Sequence, residues 1–346
     1  KGPAIGGRMA QLDKTFPTND CSMCILSPKF IECAENPNIT IMTNTQVEGV
    51  EGEAGNFQIH LIEEPRYVDE EKCTGCGTCA EYCPIYVPDV YNENLATKKC
   101  IHVHFPQAVP AVSVVDSARC VFVQRTICHL CVPTCWSKAI NFRMQPKNTT
   151  VEVGSIILAP GYDPFDPLTQ SQYGYHQFSN VVTSLEFERM ISASGPNGGE
   201  LLRPSDGKVP HRIAWVQCVG SRDENSGCTY CSAVCCMYAT KQVILSKEHH
   251  PEIEAVVLHN DIRAYGKGFE RFYERAKATP GVRYIWSKAS LLEQNPETGN
   301  VVLRYRINGT EVKDEQFDLV VLSVGLSPTA GNRELAEKLS VEMNHH

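Results

Sequence analysis

Cys73-Thr74-Gly75-Cys76-Gly77-Thr78-Cys79-Ala80-Glu81-Tyr82-Cys83-Pro84 is the stretch on which the reading of this chain turns. Three cysteines stand two residues apart, a fourth follows after three more, and a proline closes the run. That spacing wraps three thiolates around one tight loop, as a 4Fe–4S cube requires. The fourth cysteine of such a run reaches the second cluster of a two-cluster module. A partner run is present, Cys120-x7-Cys128-x2-Cys131-x3-Cys135. Cross-sharing assigns Cys73, Cys76, Cys79 and Cys135 to one 4Fe–4S cluster, and Cys83, Cys120, Cys128 and Cys131 to the other. Structural zinc fits less well, since it usually takes separated pairs of ligands. The second run departs from the simplest pattern at its seven-residue first gap and at Trp136, where proline often stands. Cys120 is the ligand these departures touch.

Outward from that stretch, the chain holds 17 cysteines in 346 residues. Disulfide frameworks belong to short secreted chains. Here the cysteines are bunched in a long chain of α/β patterning, which points to a reducing, cytoplasmic setting. A net charge of −8 with no basic stripe argues against nucleic acid. No apolar run approaches the roughly 20 residues that span a bilayer, and no secretory leader pattern opens the sequence.

Five segments follow: 1–64, 65–146, 147–210, 211–326 and 327–346. The first has an extended run at 39–47 and a second at 57–62 after the Gly55-Asn56 turn. Glu63-Glu64-Pro65 ends it. The cysteine- and proline-rich 65–146 reads as a compact metal-stapled module of α+β type. Ser155 to Gly161 reads as a buried strand ending in a small-residue turn, and 181–193 as a helix. From 211 a βαβ unit is expected: strand at 213–217, helix around 232–248, strand at 255–258. A helix at 269–276 and a last strand at 318–325 complete it. Strands alternating with helices give a largely parallel α/β sheet. The matching endings at Gly161 and Gly325 suggest two related nucleotide-type domains.

Cys218, Cys228, Cys231, Cys235 and Cys236 form a third constellation. Cys235 and Cys236 would open a helix, where the dipole favours thiolates and an anionic cluster, and Cys218 ends a strand. Spacing alone leaves three readings open: a nonstandard cluster, a redox disulfide or zinc. Cys21 and Cys24 could face a flavin as a redox pair, complete a cluster, or be inert buried thiols. Cys33 and Cys100 have no companions in sequence, and inert packing is the expectation for both.

Gly6-Gly7-Arg8-Met9-Ala10-Gln11-Leu12-Asp13, Thr15-Phe16-Pro17-Thr18, the ferredoxin runs, Phe105 to Pro110, Gln217 to Arg222 and Asp261 to Gly268 together resemble the A-type iron–sulfur flavoprotein of heterodisulfide reductase and its relatives. The resemblance implies a thioredoxin-reductase-like core of two dinucleotide-binding domains that binds FAD, with the two-cluster ferredoxin module inserted into the flavin domain. It places a third 4Fe–4S cluster on Cys218, Cys231, Cys235 and Cys236 and leaves Cys228 spare. For FAD it implies Gly6, Gly7 and Arg8 along the flavin and its diphosphate, Val47 at the adenine, and Ala159, Pro160 and Gly161 against the cofactor. It implies a cytoplasmic, oligomeric complex with partner subunits, a hydrogenase- or dehydrogenase-type donor, and ferredoxin. In such complexes a flavin splits electron pairs between two paths, and the heterodisulfide is reduced on a partner subunit. The Gly-x-Gly-x-x-Gly turn expected upstream, the acidic ribose ligand and the returning flavin segment are not in this sequence, so it is expected to begin and end inside domains. The second domain has Gln217 to Arg222 where that glycine turn would stand, which disfavours a nicotinamide nucleotide.

Three functions compete. One is a flavin- and iron–sulfur-dependent electron-distributing oxidoreductase subunit. Another is an NAD(P)H-linked flavin disulfide reductase working through Cys21 and Cys24. The third is a wiring module without a substrate site.

Overall fold

Strands far apart in sequence, Asn56–Glu63 and Lys147–Val153, pair antiparallel along their length. All that lies between them therefore interrupts one antiparallel ladder. The computed structural model describes residues 2–344, and the chain divides into two compact units.

The first unit comprises the residues up to 11, 23–161, and those from 330 on. Its first helix, α1, runs Ser22–Glu35. A three-stranded antiparallel sheet orders β1 (Thr45–Glu53), β2 (Asn56–Glu63) and β3 (Lys147–Val153) side by side. Gly55, at φ 97°, makes the β1–β2 turn. The segment between β2 and β3 carries only short helices, α2 (Thr78–Glu81), α3 (Val121–Arg125) and α4 (Cys131–Thr134). Two small antiparallel ladders join Tyr86–Pro88 to Thr97–Lys99 and Ile101–His102 to Val114–Val115. Its core is Val68, Ile101, Val112, Val115 and Ala139, packed directly against cysteine sulfurs. A last helix, Asn332–Lys338, packs on β1, and Lys338 Nζ donates to the Val47 carbonyl at 3.0 Å.

The second unit comprises 12–22 and 162–329. Its parallel sheet contains β4 (Val181–Thr183), β5 (Arg212–Val219), β6 (Glu254–His259), β7 (Val282–Trp286) and, later in the chain, Leu319–Val324. The spatial order is β7, β6, β5, Leu319–Val324, β4, with every neighbour parallel. Helices α5 (Ser184–Ile191), α6 (Cys235–His249) and α7 (Phe269–Lys277) connect these strands. Thr183 and Glu186 form a capping box that starts α5. Trp215 is fully buried on β5, donates to Gln242 of α6 at 3.1 Å, and meets Phe187 of α5 edge-on. This locks the helix layer to the sheet.

Three expectations change. Residues 162–210 do not continue the first domain: β4 is the edge strand of the parallel sheet in the second unit, because Val181 to Thr183 pair with Val320 to Leu322. Residues 155–161 form no strand, and Ile157 is 92 % exposed. The β2–β3 ladder ends at Phe57↔Val153, where β2 begins, so nothing remains for the apolar run to pair with. Of the first extended run, 39–47, only 45–47 becomes strand, as the start of β1. A further antiparallel sheet, Ala289–Gln294, Val301–Ile307 and Glu311–Phe317, lies outside every expectation from sequence.

Candidate metal centres

The first sulfur set sits on a turn made by glycine. Gly75 and Gly77 have φ of 67° and 79°, and a Cβ on Gly75 would lie 2.5 Å from the Ala111 carbonyl oxygen. Only glycine passes there. The sulfurs it presents are met by donors. The Gly75 amide donates to Cys73 Sγ at 3.5 Å, and the Ala139 amide to Cys135 Sγ at 3.3 Å. Hydroxyls of Thr78, Ser113 and Ser137 stand 3.5 Å from Cys76, Cys79 and Cys135. The Thr78 bonds hold the Cys76 thiol below its ordinary pKa. Burial works to raise Cys135, yet the bonds from Ser137 and the backbone leave it lowered. Burial raises Cys79, which also feels the thiols of Cys73 and Cys135. Three of the four expected ligands are thus drawn together, with Cys76 exposed on the same turn.

Cys83, Cys120, Cys128 and Cys131 line one small cavity walled by Ile101, Phe122 and Phe142. Cys100 lines it too. Burial first, and the Cys120 thiol next, push Cys131 up to about 12. In two hydrogen bonds here sulfur is the donor: Cys83 donates to the Ile85 carbonyl at 3.6 Å and Cys100 to that of Asp116 at 3.4 Å. The expectation for Cys100 is therefore corrected. It has companions, which its lone place in the sequence concealed.

The third set stands where β5 meets α6. Cys218, at φ 62°, is the next-to-last residue of β5, and Cys235 and Cys236 are the first residues of α6. Burial and then the Cys236 thiol push Cys218 up to about 11. Burial pushes Cys235 up to about 12, with the Cys218, Cys236 and Cys231 thiols adding to it. Those four are mutual neighbours. Cys228 pairs instead with Tyr230. Asp261 flanks the set: its carbonyl accepts from Cys236 Sγ at 3.7 Å, and its carboxylate is bridged by Arg222 and Arg263. A Cβ on Gly220 would collide with the Phe165 ring, so that ring covers the turn a dinucleotide would need.

Thiols this buried hold their protons unless a cation replaces them. All three sets offer sulfur alone, the donor set of iron–sulfur clusters. Among the described residues no group of three or more acidic, histidine or cysteine side chains is drawn in to the spacing of a single ion.

Cys21 and Cys24 are each disulfide-bonded, and Cys33 stays free on α1. Gly7 and Arg8 open a short 3-10 helix, Gly7–Gln11, and Arg8 pairs with Glu93 at 2.9 Å. Val47 lies on β1, tied to Lys338. Ala159, Pro160 and Gly161 end the exposed run before the unit boundary, with Gly161 at φ 74°.

One feature has no signal in the sequence at all. A cavity of about 280 Å³ in the second unit is lined by Phe16, Tyr162, Leu185, Tyr238, Glu188 and Lys241, among others. Lys241 Nζ stands 2.7 Å from Glu188 Oε1, with the two side chains 1 % and 2 % exposed. Lys241 also donates to the Lys14 carbonyl at 2.6 Å, and Glu188 accepts from Gln242 at 2.8 Å and the Asp13 amide at 3.1 Å. Such bonding is what lets a buried ion pair persist. No motif marks either residue, since each is one charged position on an otherwise ordinary helix.

Among the described residues no helix is long and apolar enough to cross a membrane. The 4Fe-4S binding domain family matches residues 66–88. Curated relatives match nearly the whole chain. The A-type iron-sulfur subunit of the CoB–CoM heterodisulfide reductase of Methanocaldococcus jannaschii is 46 % identical over 99 % of this chain and 52 % of its own length. The second A-type iron-sulfur subunit of the Methanopyrus kandleri CoB–CoM heterodisulfide reductase is 48 % identical over 99 % and 51 %. The A-type subunit of the H(2):CoB-CoM heterodisulfide,ferredoxin reductase of Methanothermobacter thermautotrophicus is 44 % identical over 99 % and 51 %. The chain spans about half the length of these relatives. Among solved structures, LpdA from Mycobacterium tuberculosis aligns with 57 % of this chain and 34 % of its own at 12 % identity and a TM-score of 0.31, too slight a likeness to carry an argument.

Proposed function

We propose, from the premise that this chain is homologous over 99 % of its length to the A-type iron-sulfur subunits of heterodisulfide reductases, that it is the electron-distributing part of such a complex. It works as a cytoplasmic oxidoreductase subunit with FAD and three 4Fe–4S clusters. The insert's eight paired ligands hold two clusters, and Cys218, Cys231, Cys235 and Cys236 hold the third. Gly6, Gly7, Arg8, Val47, Ala159, Pro160 and Gly161 line the FAD. When bound, FAD supplies the exchange between paired and single electrons, and bifurcation between a ferredoxin-type and a disulfide-reducing path is its use. Ferredoxin and a hydrogenase- or dehydrogenase-type subunit are the electron partners, and the heterodisulfide is reduced on another subunit.

The observation that carries this reading is the third set. In a dinucleotide-binding domain the junction of first strand and helix holds the pyrophosphate. Here that junction is given to four thiols, with Phe165 packed on Gly220. A domain with sulfurs at that junction is suited to pass electrons, not to take hydride. The test is anaerobic, full-length protein examined by absorbance, EPR and Mössbauer spectroscopy. FAD absorbance with signals from all three clusters is expected, and zinc without iron would sink the proposal.

The disulfide bonding of Cys21 and Cys24 favours the second reading, an NAD(P)H-linked flavin disulfide reductase. That reading requires NAD(P)H alone to reduce the flavin and loss of either cysteine to stop turnover while the clusters survive. Flavin that stays oxidised under NAD(P)H excludes it.

A further inference from the structure

The second sulfur set has five thiols for four iron positions. Cys100 is 1 % exposed, too buried for a chance surface thiol. It lines the cavity of Cys83, Cys120, Cys128 and Cys131. Its backbone is fixed on both sides: its amide donates to the Ile85 carbonyl at 2.9 Å, and its carbonyl accepts from the Asp116 amide at 2.8 Å. The Asp116 carbonyl oxygen in turn accepts from both the Cys100 thiol, at 3.4 Å, and the Cys120 amide, at 2.9 Å. One oxygen thus gathers the two cysteines side by side at one edge of the cavity. Cys120 is also the cysteine set apart from the ligand loop, seven residues before Cys128, as the residue that precedes α3.

We infer that Cys100 and Cys120 share one coordination position of the second cluster, with Cys100 a reserve ligand that takes the iron when Cys120 is lost. The exchange breaks the iron–sulfur bond to Cys120 and forms one to Cys100, and the Cys100 thiol proton passes to the departing Cys120 sulfur. The cluster keeps its iron, charge and oxidation state. The exchange needs little movement, because Cys100 already faces the cavity.

The inference rests on the proposed two-cluster insert, and the experiment separates the two. Full-length protein is reconstituted anaerobically as unaltered chain, Cys120→Ala, Cys100→Ala/Cys120→Ala, and Cys131→Ala. Iron content and Mössbauer spectra count the clusters, and EPR of the reduced samples fingerprints them. Cys120→Ala is expected to keep the second cluster with shifted g-values. The double variant is expected to lose that cluster's iron while the first cluster persists, and Cys131→Ala to lose it outright. A Cys120→Ala protein that loses as much iron as the double variant overturns the role of Cys100. So does a double variant that keeps the cluster. Unaltered protein lacking a second cluster overturns the insert assignment instead.

Discussion

Between Cys73 and Cys83 the chain turns on glycine; between Cys120 and Cys135 it turns on Thr126 and Cys128, at φ 59° and 82°. The first loop therefore adopts its left-handed positions at little steric cost, whereas the second holds side chains in a region L-residues avoid by roughly 1–2 kcal/mol each. The surroundings differ in the same direction. Every sulfur of the first set has an amide or hydroxyl within 3.5 Å. The second set faces Ile101, Phe122 and Phe142, and the sulfurs of Cys83 and Cys100 donate to carbonyl oxygens instead of receiving hydrogen bonds. A reduced cluster carries one more negative charge than an oxidised one, so donors aimed at sulfur favour reduction and apolar walls oppose it. The two clusters proposed for these sets should therefore differ in potential.

The dry side of this contrast extends to His102 and His104. Burial first, then the nearby Lys98, hold both at about 4. His102 keeps a 2.8 Å bond to the Lys99 carbonyl, and His104 packs edge-on to Tyr91 and Phe105. Each is held below its unfolded value of about 6.5, so the unfolded chain binds more protons on acidification. Their stability contribution is fully present above about pH 6.5 and is lost as pH falls toward 4. The largest expected effect follows, up to about 2 kcal/mol per histidine at pH 5. Melting temperature should drop between pH 7 and pH 5 in unaltered protein, and markedly less in His102→Gln/His104→Gln. Parallel slopes for the two proteins would mean that water reaches both rings.

A smaller effect separates the glycines. Gly77→Ala meets only its own φ, since nothing stands within 4 Å of the new Cβ, and should cost about 1–2 kcal/mol. Gly75→Ala adds a collision with the backbone of Ala111, so it should cost at least about 1 kcal/mol more. Thermal melts of the two variants compare them directly, with Thr126→Gly expected to be neutral or stabilising. Equal losses at Gly75 and Gly77 would break the claim that the first loop is built around one close approach.

These contrasts mark how far the sequence could be read. The 4Fe-4S binding motif was legible because its cysteines are spaced within one loop, as at Cys73, Cys76 and Cys79. The parallel sheet was legible from its apolar strands, as at Ile213 to Gln217, inside the observed Arg212–Val219. Cys100 was not, because its companions arrive through tertiary folding. Nor was the pair of Lys241 and Glu188, which sit 53 positions apart on different helices. The run at 155–161 failed for the converse reason. Its local pattern is strand-like, but pairing depends on a partner, and β2 ends the ladder at Val153.

The finest test of the contrast is a potential. Ser137→Ala removes the hydroxyl 3.5 Å from Cys135 Sγ and leaves the Ala139 amide in place. A hydrogen bond contributes about 1 kcal/mol net, and for a one-electron couple 59 mV corresponds to about 1.4 kcal/mol. The first cluster should therefore move down by about 40 mV at most, since a bond of this length to sulfur is weak. Ser113→Ala beside Cys79 should act in the same direction. The second cluster touches neither hydroxyl and should hold its potential in both variants. An EPR-monitored redox titration resolves the two signals. The higher-potential signal moving alone ties it to the first set; if the lower-potential signal moves, or both move together, the assignment of donors to the first set is wrong. The order of the two potentials would then need a cause other than hydrogen bonds to sulfur, with the charges around Asp116 and Lys98 the next to be tested.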